Sequence, residues 1–232
     1  MRLANGIFLG GGGARRAPTF SDITGLTYHF STSYGTSDAT KWTPRVGASD
    51  ATQPGAANAR PVLTAGAIGG KPGYLINQTG AIKHWLLPAL SSLTAAHIFM
   101  VTNNAADPGS GGAWWHLGSS GSTSHTPFTD SIIYDDAGGT VRRTVGNPAA
   151  TLAGPNIYEV ITRSGEHTFN LNGTQLFTNA VNTVGWDAVP TIGTTGNSFD
   201  GYVGDFVIFN AKLSTNDAAT VRARLKAWFG TP

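Results

Sequence analysis

The chain contains no cysteine and few charged residues. Without cysteine it has no disulfide framework, no thiolate metal site and no thiol nucleophile, so its stability must come from packing. Only 12% of the 232 residues are charged, which is about half the usual share. Hydrophobic residues make up 40%, enough to fill a core. No apolar run approaches the roughly 18 residues that span a bilayer, so membrane insertion is not expected.

The few charges are unevenly distributed along the chain. Although the sequence pI is about 9.0, basic residues are concentrated at the two ends. The stretch 21–211 carries eight basic and twelve acidic residues, so its net charge is about −4. No basic patch interleaved with aromatic residues occurs along it. Nucleic acid is therefore not expected as a partner.

Residues 1–20 differ in composition from the rest and are predicted to form a leader. They contain a short apolar patch, a run of four glycines and two arginines, Ile7, Phe8, Leu9, Gly10 to Gly13, Arg15 and Arg16. The apolar patch is too short for the core of a signal peptide, and no small-residue cleavage site follows it. Glycine makes the segment a flexible joint. It is either a loose tail or an anchor that fixes the domain 21–232 to a larger particle.

From residue 21 onward the pattern is that of many short strands. The 31 glycines and 12 prolines fall between short apolar runs, where turns need them. Ile157, Glu159 and Ile161 alternate with Tyr158, Val160 and Thr162, as in a sheet with two different faces. The predicted strands are 26–30, 73–77, 97–103, 113–118, 130–135, 140–145, 156–163, 167–171, 174–179 and 201–210.

Two local signals are stronger than the rest. Asn172-Gly173 separates two of these strands and predicts a two-residue hairpin, because such turns need positive φ at both positions. At the C-terminus Ser214 and Asp217 form a capping box, and Gly230 supplies a stop. Val221, Leu225 and Trp228 recur at helical spacing between them. A single helix packed against the sheets is predicted there.

Five stretches resemble laminin-G-like or concanavalin A-like jelly-roll domains. They are 41–63, 67–77, 87–101, the FNLNGTQL hairpin at 169–176, and 202–230 with its closing strand and helix. The resemblance implies an all-β, antiparallel two-sheet jelly-roll sandwich with one C-terminal helix. The opening strand of such domains usually reads Leu-Trp-Leu-Asp, whereas here it is LTYHF at 26–30. The basic, glycine-rich leader resembles the N-termini of phage tail-fibre and head-fibre proteins.

The residues do not match the common hydrolase motifs. Glucanases of this fold carry paired carboxylates as E-x-D-x-E on one strand, but the chain has only two glutamates, Glu159 and Glu166, seven positions apart. No G-x-S-x-G nucleophile motif is present. The sequence therefore predicts that the chain is not an enzyme. No cofactor or metal site is expected, and the YDDAGG turn at 134–139 offers either a calcium ligand set or, more simply, a solvated turn.

A ligand site is predicted where two of the strands end. Sugar binding needs flat aromatic faces and short polar groups, and consecutive strand residues point to opposite faces of a sheet. The AWWHLG strand therefore presents at least one tryptophan outward unless both faces are covered. With the acidic turn that follows, the predicted ligand-binding residues are Trp114, Trp115, His116, Tyr134, Asp135 and Asp136.

The favoured function is that of a non-enzymatic phage virion appendage, a head or tail fibre or spike. Its partners would be a host surface carbohydrate and, through the attachment residues Ile7, Phe8, Leu9, Arg15 and Arg16, other virion proteins. It would be assembled in the host cytoplasm and act in the virion. A structural decoration protein without glycan binding and a divergent glycosidase remain alternatives, and a homo-oligomer is left open.

Overall fold

The computed structural model describes residues 17–34, 40–53, 55–78, 81–194 and 199–232. The attachment residues predicted in the leader lie outside these ranges. Within them the strands are β1 (Leu26–Phe30), β2 (Lys41–Trp42), β3 (Ala51–Thr52), β4 (Val62–Ile68), β5 (Lys71–Ile76), β6 (Trp85–Leu86), β7 (Ala95–Asn104), β8 (Ala113–Gly118), β9 (Ser124–His125), β10 (Ile133–Asp135), β11 (Arg143–Gly146), β12 (Gly154–Arg163), β13 (Glu166–Leu171), β14 (Thr174–Asn179), β15 (Trp186–Ile192) and β16 (Gly201–Phe209). One short 3-10 turn (Ala57–Ala59) and one α-helix, α1 (Thr215–Phe229), complete the described elements.

The strands form two antiparallel sheets of eight strands each. Sheet A has the order β14-β13-β12-β7-β16-β5-β4, with β1 paired to the second half of β16. Sheet B has the order β11-β10-β9-β8-β15-β6-β3-β2. The predicted all-β, two-sheet sandwich with a C-terminal helix is confirmed. The sequence pattern does not predict β4 or β15, because Gly66 interrupts the first and Pro190 the second.

The main core lies between the two sheets. Alternation along β7 assigns Ile98 and Met100 to this core, whereas Phe99 and Val101 face the outer side of sheet A. On β12, Tyr158 and Val160 likewise point inward, as the alternation of polar and apolar residues predicts. Both strands are therefore covered on both faces, which explains why they are apolar almost throughout.

The outer face of sheet A is covered by α1. Ser214 caps the helix, since its hydroxyl accepts a hydrogen bond from Asp217 N at 3.1 Å, and Gly230 ends it at φ +67°. Val221, Leu225 and Phe229 are fully buried against Phe99 and Val207 of the sheet. The predicted cap and stop are confirmed.

The helix stripe differs from the prediction at one position. Phe229 continues the i, i+4 spacing of Val221 and Leu225, so it is the residue that enters the core. Trp228 is displaced around the helix and remains half-buried. The Lys71 ammonium lies 3.8 Å from the centre of its ring.

Residues 17–20 belong to the packed body. Phe20 is 1% exposed and meets the His29 ring edge-on, with 4.9 Å between the ring centres. The Arg45 guanidinium donates to the carbonyl of Pro18 at 3.1 Å. The last four residues of the predicted leader thus pack against the sandwich, and Phe20 completes the apolar cluster beneath α1. Within the described ranges, α1 is too short and too polar to cross a membrane.

Candidate functional site

Trp114 and Trp115 do not form a surface platform, contrary to the sequence prediction. Both are fully buried in the core between the sheets. The pairing of β8 with β9 shifts register between Ala113 and Trp115, and such a bulge re-aims a side chain. Simple alternation would have sent one indole outward. The bulge instead directs both inward, so neither can stack on a sugar.

Asp135 and Asp136 are also buried, so the acidic turn is not a solvated one. Asp135 Oδ1 accepts from Trp115 Nε1 at 2.9 Å, and its Oδ2 lies 2.8 Å from His167 Nε2. Asp136 accepts from the hydroxyls of Ser124 at 2.7 Å and Ser120 at 3.0 Å. Because β10 ends at Asp135, strand alternation no longer governs Asp136, and the turn folds its carboxyl group inward.

Burial has an electrostatic consequence for Asp136. Removal from water, reinforced by the neighbouring charge of Asp135, raises the pKa of Asp136 to about 7, although the two serine hydroxyls act in the opposite direction. The Asp136 carboxyl group is therefore part of the packed interior and is not available to a ligand at the surface. Together with Trp115 and His167, these two aspartates form an internal polar network.

The remaining two predicted site residues lie on the outer face of sheet B. His116 stands between the inward Trp115 and Leu117, and its Nε2 is 3.5 Å from Asp187 Oδ2. The Tyr134 hydroxyl donates to Asp130 at 3.0 Å. The six predicted residues are thus divided between the core and one outer face. The two-residue β9 also separates the strands that carry them, where the sequence indicated only a loop.

A surface pocket lies at the end of β10 that is remote from the Asp136 turn. It forms where β7 ends, where Thr126 follows β9 and where Asp200 precedes β16. The pocket has a cavity volume of about 50 Å³ and opens to solvent. Its lining residues are Asn104, Ala105, Ala106, Gly109, Ser110, Thr126, Pro127, Phe199 and Asp200.

The floor of this pocket is rigid. The Asn104 side-chain amide donates to Thr126 O at 2.8 Å and to the Tyr158 hydroxyl at 3.1 Å. Its oxygen accepts from the Thr102 hydroxyl at 2.9 Å. Three hydrogen bonds therefore fix one buried amide, which ties the loop after β9 to the end of β7.

Close packing of two loops shapes the rim. The Gly109 amide donates to Phe128 O at 3.2 Å, and a Cβ at Gly109 would collide with the Pro127 carbonyl. Glycine is therefore required by the approach of the two backbones. Ser110 and Asp200 are exposed at the rim, whereas Phe199 is buried beneath it. The pocket thus has both polar and apolar groups at its floor and exposed polar groups at its rim.

Sequence reasoning missed this pocket because its residues come from three separate loops. The available signal was the stretch NNAADPGSGG at 103–112, which marks a long glycine-rich connection. It does not show which other loops face it. In the ranges that the structure describes, no group of three or more His, Asp or Glu side chains is placed to hold a metal ion.

No protein-family model and no curated protein sequence matches this chain. Solved structures do match its fold. Trypanosoma rangeli sialidase superposes with a TM-score of 0.57 at 13% identity, covering 93% of this chain and 34% of that one. A GH54 α-L-arabinofuranosidase gives 0.51 at 10% identity, covering 73% and 45%. A structure described as a receptor binding domain gives 0.55 at 11% identity, covering 89% and 52%.

These comparisons establish a β-sandwich of the sialidase and lectin-like kind, consistent with a jelly-roll-like fold. The chain spans between about a third and about half of the length of these three proteins, and identities this low carry only the fold. The prediction that the chain is not an enzyme is contradicted, because the fold is one found in glycosidases. That prediction depended on the absence of the glucanase carboxylate motif and of a serine nucleophile motif, and these two motifs do not represent every enzyme that contains such a sandwich.

Proposed function

We propose that this chain is a carbohydrate-binding β-sandwich, and that the pocket lined by Asn104, Ser110, Thr126, Phe199 and Asp200 holds the sugar. The observation that carries the proposal is the pocket itself, a concave space on a rigid floor at one end of the sandwich. Loops at the ends of a sandwich are where binding groups are displayed on a fixed scaffold. Its cavity volume of about 50 Å³ is below the roughly 300–1,000 Å³ of sites that enclose a small molecule, so the pocket would hold one edge of a sugar and leave the rest in solvent.

The chemistry of the lining suits a sugar ring. A sugar presents hydroxyls that both donate and accept hydrogen bonds, together with apolar C–H groups. The Ser110 hydroxyl can donate and accept, the Asp200 carboxylate can accept, and Pro127 and Phe199 provide apolar surface. Support also comes from the structures of similar fold, among them a sialidase in complex with sialic acid and an arabinofuranosidase soaked with an arabinofuranoside.

The proposal extends to where the sandwich acts. We infer a phage virion appendage that meets a host surface glycan and is attached to other virion proteins by its first residues. The composition of residues 1–16, with an apolar patch, four glycines and two arginines, supports an attachment role. The similarity in fold to a receptor binding domain supports recognition of a surface.

A pocket-filling substitution tests the sugar site. Ser110→Trp places a large side chain in the pocket from an exposed position, so the fold should tolerate it. Ser92→Trp is the matched control, since Ser92 is exposed in the turn before β7. The full chain should bind some members of an array of immobilised oligosaccharides, Ser110→Trp should lose that binding, and Ser92→Trp should keep it. Absence of binding by the full chain, or unchanged binding by Ser110→Trp, would refute the proposal.

Attachment is tested separately in the particle. Phage carrying the chain without residues 1–16 should lack the protein after purification, whereas the isolated truncated protein should retain its glycan binding. Normal incorporation of the truncated chain into the particle would contradict the attachment role and leave the sugar site unaffected.

A further inference from the structure

The charged side chain that lines the pocket is a carboxylate. Asp200 is the sole ionisable side chain among the lining residues. Asp107 lies in the same loop, between the lining residues Ala106 and Gly109. Its Oδ2 accepts from Leu152 N at 2.9 Å, while its buried Oδ1 has no hydrogen-bond partner in the described part of the chain.

In the part of the chain that the structure describes, neither of these two carboxylates forms an ion pair. Across the described ranges, neither Asp107 nor Asp200 has an arginine, lysine or histidine nitrogen within 4.0 Å. The neighbouring residues 195–198, Thr-Gly-Asn-Ser, contain no charged side chain in the sequence. Among the described residues, the charge that lines the pocket is therefore negative and unpaired.

A negatively charged pocket discriminates between sugars by their charge. A sugar that carries a carboxylate, such as a uronic acid or sialic acid, requires a cation or several aligned N–H donors in its site. Here its carboxylate would approach a like charge. Coulomb repulsion between two unit charges about 6 Å apart, even in a water-like medium, weakens binding by about threefold, and more when the site is partly dry. A neutral sugar avoids this penalty and can donate its hydroxyls to Asp200.

We propose that the pocket selects uncharged sugars and excludes sugars bearing a carboxylate, with Asp200 and Asp107 as the residues that set this specificity. This inference rests on the proposed carbohydrate site. It implies that the pocket does not bind sialic acid, although the fold resembles that of a sialidase.

The test is an array of immobilised oligosaccharides ending in neutral sugars, in uronic acids and in sialic acid, probed with the full chain and its variants. The wild-type chain should bind neutral ends at least about threefold more tightly than their uronic-acid counterparts. Asp200→Asn should reduce this difference in affinity, which we call the affinity gap, because it should bind the acidic ends more tightly than the wild-type chain does. Asp50→Asn removes the same charge at the far edge of sheet B, next to β3, and should leave the gap unchanged.

Each outcome has a distinct meaning. Equal or tighter binding of acidic ends by the wild-type chain, or an unchanged gap in Asp200→Asn, overturns the charge selection. If binding is found and Ser110→Trp abolishes it, the sugar site stands even when the selection fails. If no sugar of any class binds, both proposals fail. A gap that arises from charge should also shrink as salt is raised from low to high concentration.

Discussion

Trp114 and Trp115 are neighbours in the sequence and stack on one another inside the core, with 3.9 Å between ring centres and 24° between the ring planes. Adjacent residues of a regular strand cannot do this, because their side chains point to opposite faces. The register shift at the start of β8 makes it possible. The pair fills the centre of the sandwich, and Trp115 also holds Asp135 through its indole N–H.

Trp115→Ala is expected to reduce the free energy of unfolding by about 3–5 kcal/mol, because it leaves a cavity in a packed core. It also removes a hydrogen bond from a buried carboxylate. Urea unfolding followed by fluorescence measures the change. Tyr34→Ala, at a side chain that is 45% exposed, is the control and should cost much less. Equal costs for the two variants would contradict the buried placement.

Gly173→Val is expected to destabilise the protein by roughly 1–3 kcal/mol. Asn172 and Gly173 have φ of +51° and +87°, the pair of positive values that a primed hairpin turn requires. A β-branched side chain is strained there, and its Cβ would lie 3.2 Å from Arg222 Nε. Thermal unfolding of Thr174→Val, an exposed strand position beside it, is the control and should show little loss. A neutral Gly173→Val would exclude this turn type.

Glu159→Ala and Glu166→Ala should differ sharply, although both remove a glutamate. Glu159 is buried beneath α1, where His97 Nε2 lies 2.7 Å from its carboxylate and Arg222 donates to it at 2.8 Å. Burial alone would raise the pKa of Glu159, but these two partners outweigh it and hold the pKa below its usual value. Its loss leaves an arginine and a histidine without their buried partner, so we expect a cost of about 3–5 kcal/mol.

Glu166 contacts Arg163 and Lys212 at the surface. Its removal should cost about 1 kcal/mol or less, because exposed ion pairs contribute little. Chemical unfolding of both variants at one pH measures the difference. Similar losses would mean that the Glu159 network does not hold α1 to the sheet.

The proton on Asp136 should make stability depend on pH. The folded protein keeps this proton up to about pH 7, whereas the unfolded chain releases it near pH 4. Between these values the unfolded state binds fewer protons, so the free energy of unfolding falls as pH rises. The total effect of the single group is on the order of 2–4 kcal/mol.

Asp136→Asn supplies the comparison for that effect, since an amide preserves the shape and has no proton to lose. Urea unfolding at several pH values between 4 and 7 should show the wild-type protein losing stability relative to the variant. Titrating groups that do not interact with Asp136, such as His125, affect both proteins alike and cancel in the difference. Parallel curves would show that Asp136 is ionised across the range.

The sequence alone determined the parts of this protein that depend on short-range rules. Asn172-Gly173 fixed the hairpin, Ser214 and Gly230 fixed the limits of α1, and alternation along β12 fixed its two faces. In each case a backbone angle or a side-chain period is set by residues a few positions apart. From many such strands the two-sheet class followed, since a sheet with apolar faces must bury them against another layer.

Tertiary structure decided everything that depends on residues distant in the chain. Whether Trp115 faces water is set by the partner strand that imposes a bulge, and whether Asp136 is solvated is set by the serines folded over it. The pocket exists only because the end of β7, the loop after β9 and the loop before β16 meet at Asn104. No local sequence pattern predicts that these three segments pack together, because the hydrogen bonds that hold them join residues 22 and 54 positions apart.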